Sequence, residues 1–406
     1  MAYFNQHNAP GEIDPDLPPL PDAPPPPRPG SRRWRMVDRL VFMALGLGSA
    51  LGWAVPELPG TRRIVYWLDA LAQFGAVFAA LTLASIVFYT LRRRWLYVAL
   101  MLVVLAGHTF VLAPDRAAHA PGSSAFSSTA PTSLAPLAPT QGQSLRVLSF
   151  NVGPLNPRGL DALDATMAAE PDIAALIELP TVIVRAVYDT GTPEADALRA
   201  RYPHRIIRAP VDTQNNWTVL LSRWPLEPLG APDPKPKDPD YFPIAAKVRR
   251  PGDRGGPFIM IAVHASSPRS FGRWVGGNIV TDRAASIAVD HMLQHFPVVL
   301  AGDLNSTESA RRTRVLTRAG LTLTRPALNF EPTFPPNLGP VGAAIDHVLV
   351  SPGVMVTRFS TLREPAPPGR PAPKFSAQPE GFVLSEDTDS FGSDHRPLLV
   401  ELVTPM

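Results

Sequence analysis

Three long apolar stretches near the N-terminus constrain most strongly what this chain can fold into. They are Leu40–Val55, Ile64–Leu91 and Leu96–Ala113. A membrane-spanning helix needs about 20 apolar residues, so the second and third stretches are long enough and the first is marginal. The second contains a single charged residue, Asp69. We predict a transmembrane region of about three helices over residues 37–114, in a multi-pass protein of the cell membrane whose partner is the lipid bilayer.

The placement of arginine orients these helices. Arginines concentrate before the first stretch and between the second and third, at Arg28, Arg32, Arg33, Arg35, Arg39 and Arg92–Arg94. Basic residues are in excess in the cytoplasmic loops of membrane proteins, so the N-terminal tail and the Arg92–Arg94 loop are expected in the cytoplasm. The third span then ends on the far side, and the large C-terminal domain is expected to be extracytoplasmic.

Two segments have an amino-acid composition that is typical of polypeptide without regular secondary structure. Residues 1–36 are rich in proline, which predicts a disordered cytoplasmic tail; a ligand for a proline-recognition domain is the alternative. Residues 115–144 are rich in Ala, Ser, Thr and Pro, which is typical of a linker. A flexible linker of this length spans roughly 30 Å, so it would keep the next domain close to the lipid headgroups.

Cysteine content and charge exclude several classes of function. The 406 residues include no cysteine, which excludes a disulfide scaffold, a zinc ribbon, a thiol nucleophile and an iron–sulfur site. The segment up to Pro114 contains 10 basic and 7 acidic residues and accounts for the whole net charge of +3. The rest of the chain is formally neutral and lacks the basic excess typical of nucleic-acid binding.

Residues 145–406 alternate short apolar runs with helical patterns. The runs predicted as strands are Leu145–Phe150, Ile173–Ile177, Val219–Leu221, Phe258–Val263, Val298–Leu300, Ile345–Val350 and Leu398–Val400. The predicted helices are Leu160–Ala169, Thr281–His295 and Ser309–Ala319. Some strands follow one another without an intervening helix, so we predict an α+β domain with strands packed under helices rather than a wholly parallel sheet.

Polar side chains recur where these strands end or begin. They are Asn151, Glu178, His264, Asp303, Asn305, Asp346 and the adjacent pair Asp394 and His395. A sheet can bring strand ends together into one cleft. Two carboxylates about 5 Å apart repel by roughly 3 kcal/mol at an effective dielectric constant near 20. A cluster with four carboxylates therefore needs a cation, and oxygen ligands favour Mg²⁺ or Mn²⁺ over zinc.

Each of these residues also has an ordinary structural interpretation. Asn151 could be a turn residue, Glu178 an exposed strand end and His264 a structural histidine. Asp303 and Asn305 could cap the following helix, and Asp346 could pair locally. The adjacent Asp394 and His395 in a Gly-Ser loop before a strand are the hardest to explain structurally.

The order of these motifs along the chain favours a functional site over the structural interpretations of the single residues. The series runs through Ser149-Phe150-Asn151, Glu178, Ala262-Val263-His264, Gly302-Asp303-Leu304-Asn305, Ile345-Asp346-His347 and Gly392-Ser393-Asp394-His395-Arg396-Pro397. In this order the series resembles the endonuclease/exonuclease/phosphatase superfamily over about Leu145–Val403. The GDxN and SDHRP elements are the most specific parts of the resemblance.

The resemblance implies a four-layer α/β sandwich, with two packed mixed β-sheets flanked by helices, preceded here by the transmembrane helical region. It also implies divalent-metal hydrolysis of a phosphate ester or anhydride by a catalytic domain over residues 145–406. Asn151, Glu178 and Asp394 would hold Mg²⁺ (or Mn²⁺), and Asp303 would orient or deprotonate the attacking water. Asn305 and His264 would contact the phosphoryl group. His395, oriented by Asp346, would stabilise the transition state or assist the leaving oxygen.

Fold alone does not choose the substrate. The predicted extracytoplasmic location, the neutral domain and the membrane tether favour a lipid-linked or cell-envelope phosphate. The architecture is similar to that of the VanJ-type glycopeptide-resistance membrane proteins, which would imply polyprenyl pyrophosphate hydrolysis.

Two other functions stay open. One is a membrane-anchored nuclease, in which Arg269, Arg273 and the group Arg311, Arg312 and Arg314 would contact nucleic-acid phosphates. The other is a catalytically silent binding module of the envelope.

Overall fold

A computed structural model of the chain describes residues 30–112, 116–117, 143–188, 191, 193–208, 217–229, 242–250, 256–327, 329, 331–335, 342–363 and 391–405. The chain divides into a unit that ends at Met43 and a second unit that begins at Ala44. The helices are α1 (Gly30–Ala54), α2 (Arg63–Ala72), α3 (Gly75–Leu91), α4 (Trp95–Leu112), α5 (Gly159–Ala168), α6 (Thr181–Tyr188), α7 (Pro193–Arg201), α8 (Phe271–Leu293) and α9 (Arg311–Arg318). A 3₁₀ turn, Val55–Glu57, follows α1.

Twelve strands lie in the described part of the chain. They are β1 (Gln143–Asn151), β2 (Ile173–Leu179), β3 (His204–Arg208), β4 (Trp217–Ser222), β5 (Leu226–Leu229), β6 (Ile244–Val248), β7 (Phe258–His264), β8 (Val298–Asp303), β9 (Thr322–Leu323), β10 (Asp346–Val350), β11 (Met355–Thr361) and β12 (Leu398–Thr404). One six-stranded sheet has the order β11-β12-β1-β2-β4-β3, and the other has the order β5-β6-β7-β8-β10-β9. Each sheet contains one parallel pair, β1–β2 and β7–β8, among antiparallel neighbours.

The two sheets pack face to face, and helices cover their outer faces, because the strands have apolar side chains on both faces of each sheet. In β1, Leu145 and Val147 belong to the core between the sheets, whereas Leu148 and Phe150 belong to the core beneath α5–α7. The other sheet repeats this pattern, with its outer face packed against α8 and α9. The period of two residues along a strand produces both cores. The predicted α+β four-layer sandwich is confirmed.

The N-terminal region differs from its prediction in detail. Helix α1 begins at Gly30, within the segment predicted to be a disordered tail, because the Arg- and Met-containing sequence there favours helix; residues 1–29 lie outside the described residues. The second predicted span is divided into α2 and α3, which are bent by 52°. Within the described residues, only the helix Trp34–Glu57 is long and apolar enough to cross a membrane, unless α2 and α3 act as one span. The first stretch, marginal in the sequence, is thus the strongest candidate, and the multi-pass topology stays a prediction.

The start of the predicted linker is attached to the C-terminal domain. Arg116 pairs with Leu323 of β9, and the Ala117 amide donates to the Leu323 carbonyl oxygen at 2.8 Å. The Arg116 guanidinium also forms an ion pair with Glu308. Arg116 and Ala117 are therefore bound to the domain and are not part of a free linker. Of the other residues of the predicted linker, 115 and 118–142 lie outside the described residues, and 143 and 144 belong to β1.

Candidate active site

The predicted site residues meet at one edge of the sandwich. His264, Asp303 and Asp346 are register neighbours across β7, β8 and β10. Asn151 and Glu178 lie at the corresponding ends of β1 and β2 in the other sheet. Because β12 is antiparallel to β1, the residues just before β12, Asp394 and His395, reach the same edge. All eight predicted residues therefore come together.

The strand repeat explains why the side chains from both sheets point inward. Val299 and Ala301 of β8 lie in the core between the sheets, so Asp303 points the same way. Asn151 has the same relation to Leu145 and Val147 in β1. The Asn151 Nδ2 atom donates to Asp303 Oδ2 at 2.9 Å, a hydrogen bond that joins the two sheets. Asn151 is therefore part of the site and not only a turn residue.

The loop after Asp303 folds back onto its carboxylate. Asn305, which has a φ of 46°, donates from its backbone amide to Asp303 Oδ1 at 2.7 Å and from Nδ2 to Asp303 Oδ2 at 2.9 Å. Its Nδ2 also donates to the Ala265 carbonyl oxygen at 3.0 Å. Helix α9 begins only at Arg311, with Ala310 at its N-cap. Asp303 and Asn305 therefore orient each other and do not cap that helix.

Glu178 and His264 face each other from opposite sheets. His264 Nε2 lies 3.0 Å from Glu178 Oε1. Glu178 has a φ of 54° at a register shift between β2 and β4, which turns its side chain out of the regular strand alternation. Burial would raise the pKa of Glu178 and lower that of His264, but their mutual contact outweighs burial and shifts the pKa of each in the opposite direction. The pair therefore favours carboxylate and imidazolium.

Asp346 and His395 form a buried dyad. His395 Nδ1 lies 2.8 Å from Asp346 Oδ2. Burial alone would lower the pKa of His395, but the Asp346 carboxylate, reinforced by Asp303 and Asp394, raises that pKa to about 10. The Asp394 Oδ1 atom lies 4.0 Å from His395 Nε2. The Nδ1–Asp346 contact directs His395 Nε2 towards the remaining acidic groups.

His347 next to Asp346 has a different role. It lies on the opposite face of β10, where its Nε2 donates to the Ser306 carbonyl oxygen at 2.8 Å. Burial lowers the pKa of His347 to about 4, so its imidazole is neutral. The strand alternation thus separates one acidic site residue from one structural histidine.

The acidic cluster has the donor set of a divalent-cation site. Burial, reinforced by the nearby Asp346 carboxylate, raises the pKa of Asp303 to about 7. Asp346 Oδ1 is buried and has no hydrogen-bond partner among the described residues. An oxygen of Asp303 and an oxygen of Asp346 lie within 4.8 Å of each other and of a His395 ring nitrogen, which is protonated and is therefore a neighbour of the site and not a ligand. Oxygen-rich ligands with excess negative charge fit a hard cation such as Mg²⁺ or Mn²⁺.

Asp303, Asp346 and His395 surround the same site as the predicted ligands Asn151, Glu178 and Asp394. Asn151 Oδ1 accepts a hydrogen bond from the Gly153 amide at 3.1 Å. Burial raises the pKa of Asp394, so this carboxyl would also gain from a neighbouring cation.

Several further residues support the site, and their contacts are visible only in the structure. The buried Thr333 hydroxyl accepts hydrogen bonds from the backbone amides of Ile345 and Asp346, each at 3.1 Å. The Phe334 ring lies 4.7 Å from the His395 ring, centroid to centroid. Asn156 donates to the carbonyl oxygens of Val152 and Phe391, which fixes the approach to the Asp394 loop. In the sequence, Pro332-Thr333-Phe334-Pro335 resembles a substrate-side loop of the endonuclease/exonuclease/phosphatase superfamily, with a proline turn as the alternative, whereas no sequence signal marks Asn156.

The chain is similar to several solved structures. The chain is similar to an endonuclease/exonuclease/phosphatase family protein from Bacteroides thetaiotaomicron, with 20% identity, 66% of this chain and 100% of that chain covered, and a TM-score of 0.46. It is similar to an endonuclease/exonuclease/phosphatase from Bacteroides vulgatus, with 17% identity, coverage of 65% and 100%, and a TM-score of 0.45. The catalytic domain of human Nocturnin, solved with a bound sulfate anion, shows 14% identity, coverage of 64% and 94%, and a TM-score of 0.44. No curated protein matches the chain.

A family model matches residues 148–395, a range that begins inside β1 and ends on the last of the eight site residues. Its description is Endonuclease/Exonuclease/phosphatase family. Motif order, sheet topology and convergence of the polar strand ends agree with that match, and we conclude that the chain belongs to the endonuclease/exonuclease/phosphatase family.

Proposed function

We propose that this family member is a membrane-anchored, divalent-metal-dependent phosphohydrolase that acts outside the cytoplasm. Its substrate would be a phosphate ester or anhydride, lipid-linked or part of the cell envelope. The observation that supports the chemistry best is the convergence of Asn151, Asp303, Asp346 and His395, because it joins both sheets with buried, hydrogen-bonded polar groups.

The geometry suggests a division of labour among the side chains. Asp303, oriented by Asn151 and Asn305, would position the attacking water and accept its proton. His395, with Nδ1 against Asp346, would use Nε2 to stabilise negative charge on the phosphoryl group or the leaving oxygen. His264, beside Glu178, would contact a phosphoryl oxygen. These roles supply positioning and charge neutralisation, the main requirements of phosphoryl transfer.

A divalent cation would be held by Asn151, Glu178 and Asp394, with the oxygen atoms of Asp303 and Asp346 nearby. When bound, it would supply Lewis acidity towards a phosphoryl oxygen. The protein contributes the acidic cluster and the orphan oxygen Asp346 Oδ1, both of which a cation would stabilise.

The preference for a lipid-linked substrate is supported by the apolar helices that precede the domain. Among the arginines considered as nucleic-acid contacts, Arg311 and Arg312 are buried and do not support a nuclease, whereas Arg269 and Arg273 are exposed. Arg312 Nη1 donates to the carbonyl oxygens of Ser266 and Leu304, at 2.9 and 3.0 Å. We therefore favour the phosphohydrolase over the nuclease.

The decisive experiment is a substrate panel with the full chain in lipid nanodiscs. Phosphate release from a polyprenyl pyrophosphate should require Mg²⁺ or Mn²⁺, cease in EDTA, and fall at least about 100-fold in Asp303→Asn and His395→Gln. Asp282→Asn, a half-exposed carboxylate on α8, is the control and should keep full activity. Robust cleavage of single-stranded or plasmid DNA at physiological salt would instead establish a nuclease, and inactivity on every substrate would favour a binding module.

The proposed location needs a separate measurement. Fusion of a topology reporter to each end of the chain should report the C-terminus outside the cytoplasm and the N-terminus inside. A cytoplasmic C-terminus would contradict the extracytoplasmic assignment without affecting the proposed chemistry.

A further inference from the structure

Helix α2 is bound to the C-terminal domain through its inner face. The buried Asp69 carboxylate accepts hydrogen bonds from Trp274 Nε1 and from the Arg311 backbone amide, each at 2.7 Å. Val65 and Ala72, one helical turn to either side, are buried against the same surface as Trp274. Residues four and seven positions apart share a helix face, so this side of α2 belongs to the domain rather than to lipid.

The end of α2 also holds the loop that follows the site residues. The Thr307 amide donates to Gln73 Oε1 at 2.7 Å, and the Thr307 hydroxyl donates to the Gln73 carbonyl oxygen at 2.9 Å. The Ser309 hydroxyl donates to the Ala72 carbonyl oxygen at 2.6 Å. Thr307 is two residues beyond Asn305, so α2 is tied to the segment that carries the catalytic groups.

The outer face of α2 is apolar and uncovered. Ile64, Trp67 and Leu71 are 62%, 64% and 45% exposed, and Phe74, just beyond the helix, is 55% exposed. Their spacing places them along one side of the helix, opposite Asp69. This apolar side continues into α3, where Val77 and Leu81 are each 50% exposed. A continuous exposed apolar surface of this kind marks an interaction site.

Arginines border this apolar side where α2 meets α8. The Arg63 guanidinium lies 5.6 Å from the Phe271 ring centroid, and the Tyr66 hydroxyl donates to the Pro268 carbonyl oxygen at 3.1 Å. The flanking Arg62, Arg269 and Arg273 are exposed. Cationic side chains beside an apolar helix face are complementary to anionic headgroups above acyl chains.

We propose that α2 lies in the plane of the membrane surface, between the catalytic domain and a bilayer that contains anionic lipid. Its outer face would enter the boundary between headgroups and acyl chains, while Asp69 and Gln73 hold the catalytic loop from the other side. This rests on the proposed membrane attachment but not on the proposed reaction.

The contacts exclude α2 as half of a transmembrane span. A span cannot bury one face against a polar domain through Asp69, Gln73 and Ala72 while crossing the hydrocarbon. The 52° bend between α2 and α3 is the change of direction that an in-plane helix needs before a helix enters the bilayer. The active-site edge would then face the headgroups, where a lipid-linked phosphate is located.

The absence of cysteine permits a direct test in the full chain. Spin labels would be attached to single cysteines in Ile64→Cys, Trp67→Cys and Leu71→Cys, with Leu293→Cys, 75% exposed on α8, as the aqueous control. Immersion depth would be measured in nanodiscs of phosphatidylcholine mixed with phosphatidylglycerol. An in-plane helix gives three similar shallow depths, whereas a membrane-crossing helix gives depths that differ by about 10 Å between positions 64 and 71.

A fourth label tests the arginine border. Gly272→Cys is suitable, because a Cβ at Gly272 meets no atom within 4 Å. Its accessibility to a water-soluble relaxation agent should fall when phosphatidylglycerol is added, and Arg269→Glu with Arg273→Glu should abolish that fall.

The outcomes separate this proposal from the proposed reaction. Three water-exposed labels matching Leu293→Cys, a depth gradient along α2, or no response of the Gly272→Cys label to anionic lipid would each overturn the in-plane assignment, whether or not the protein hydrolyses phosphate. Retention of the wild-type melting temperature by each labelled variant is the folding control.

Discussion

At the residue scale, the site depends on strand alternation, which points each acidic group inward. Asp346 and His347 are adjacent, yet one is in the site and the other donates to Ser306 on the opposite face. A shift of register by one residue would exchange them. The contact between Asp346 and His395 therefore forms only in the observed register of β10 against β8.

The Asp346 carboxylate should matter for turnover more than for substrate binding. In Asp346→Asn, His395 loses the negative partner that orients its ring, so kcat should fall by about 10²- to 10⁴-fold with little change in KM. Steady-state kinetics on the substrate identified by the panel measures this. A kcat near that of the wild type would show that His395 does not act through Asp346.

Gly302 should be essential for folding. Its φ is 153°, and a Cβ there would lie 1.9 Å from the Val263 carbonyl oxygen in the parallel β7–β8 pair. Gly302→Ala should therefore lower the free energy of unfolding by more than about 3 kcal/mol. Denaturant unfolding of the full chain in detergent measures the loss.

Gly272→Ala is the matched control for that substitution, because its site is open. It should leave stability unchanged or raise it by up to about 1 kcal/mol. Equal effects of the two substitutions would contradict the close approach at Gly302.

At the element scale, α2 acts as part of the catalytic domain. Asp69→Ala leaves Trp274 Nε1 and the Arg311 amide buried without an acceptor, next to the buried Arg312. The free energy of unfolding should fall by about 3 kcal/mol. Chemical denaturation of the full chain measures it.

Asp282→Ala is a matched control for this second substitution, because Asp282 also accepts from Arg311 but is half-exposed. Its loss should cost less than about 1 kcal/mol. A small effect of Asp69→Ala, equal to that of Asp282→Ala, would mean that the hydrogen bonds of Asp69 do not stabilise the contact between α2 and the domain.

At the scale of the whole molecule, the sandwich holds four carboxylates, Glu178, Asp303, Asp346 and Asp394, at its open edge. A cation that binds only the folded protein stabilises it by mass action. The melting temperature should rise with Mg²⁺ concentration, and each tenfold increase above Kd should add about 1.4 kcal/mol. Differential scanning calorimetry with EDTA and with KCl of equal ionic strength as controls measures the effect. The same rise with KCl would indicate charge screening rather than a specific site.

Much of the site could be predicted from the sequence, because its polar residues lie directly after or before apolar strands. Asn151, His264 and Asp303 were identifiable as polar residues after apolar runs. Short or poorly patterned strands such as β5 and β9 were not predicted, since their residues are stabilised by neighbouring strands more than by their own sequence. The start of α8 at Phe271, ten residues before the predicted helix, was also missed, because Trp274 and Gly277 are buried by other elements rather than by helical periodicity.

The four-layer sandwich and the roles of its site residues were expected only from the family resemblance. By itself, the sequence pattern determined the alternation of apolar and polar residues, and with it an α+β domain with polar residues at the ends of its strands. That information is local, because it depends on periodicity over a few residues. Tertiary structure decided which side chains meet, such as Asn151 with Asp303 and Glu178 with His264 across the two sheets. It also decided that the single charge in an apolar stretch, Asp69, accepts hydrogen bonds from Trp274 and Arg311 of the C-terminal domain. A buried carboxylate requires partners, and partners more than 200 residues away are found only when the chain has folded.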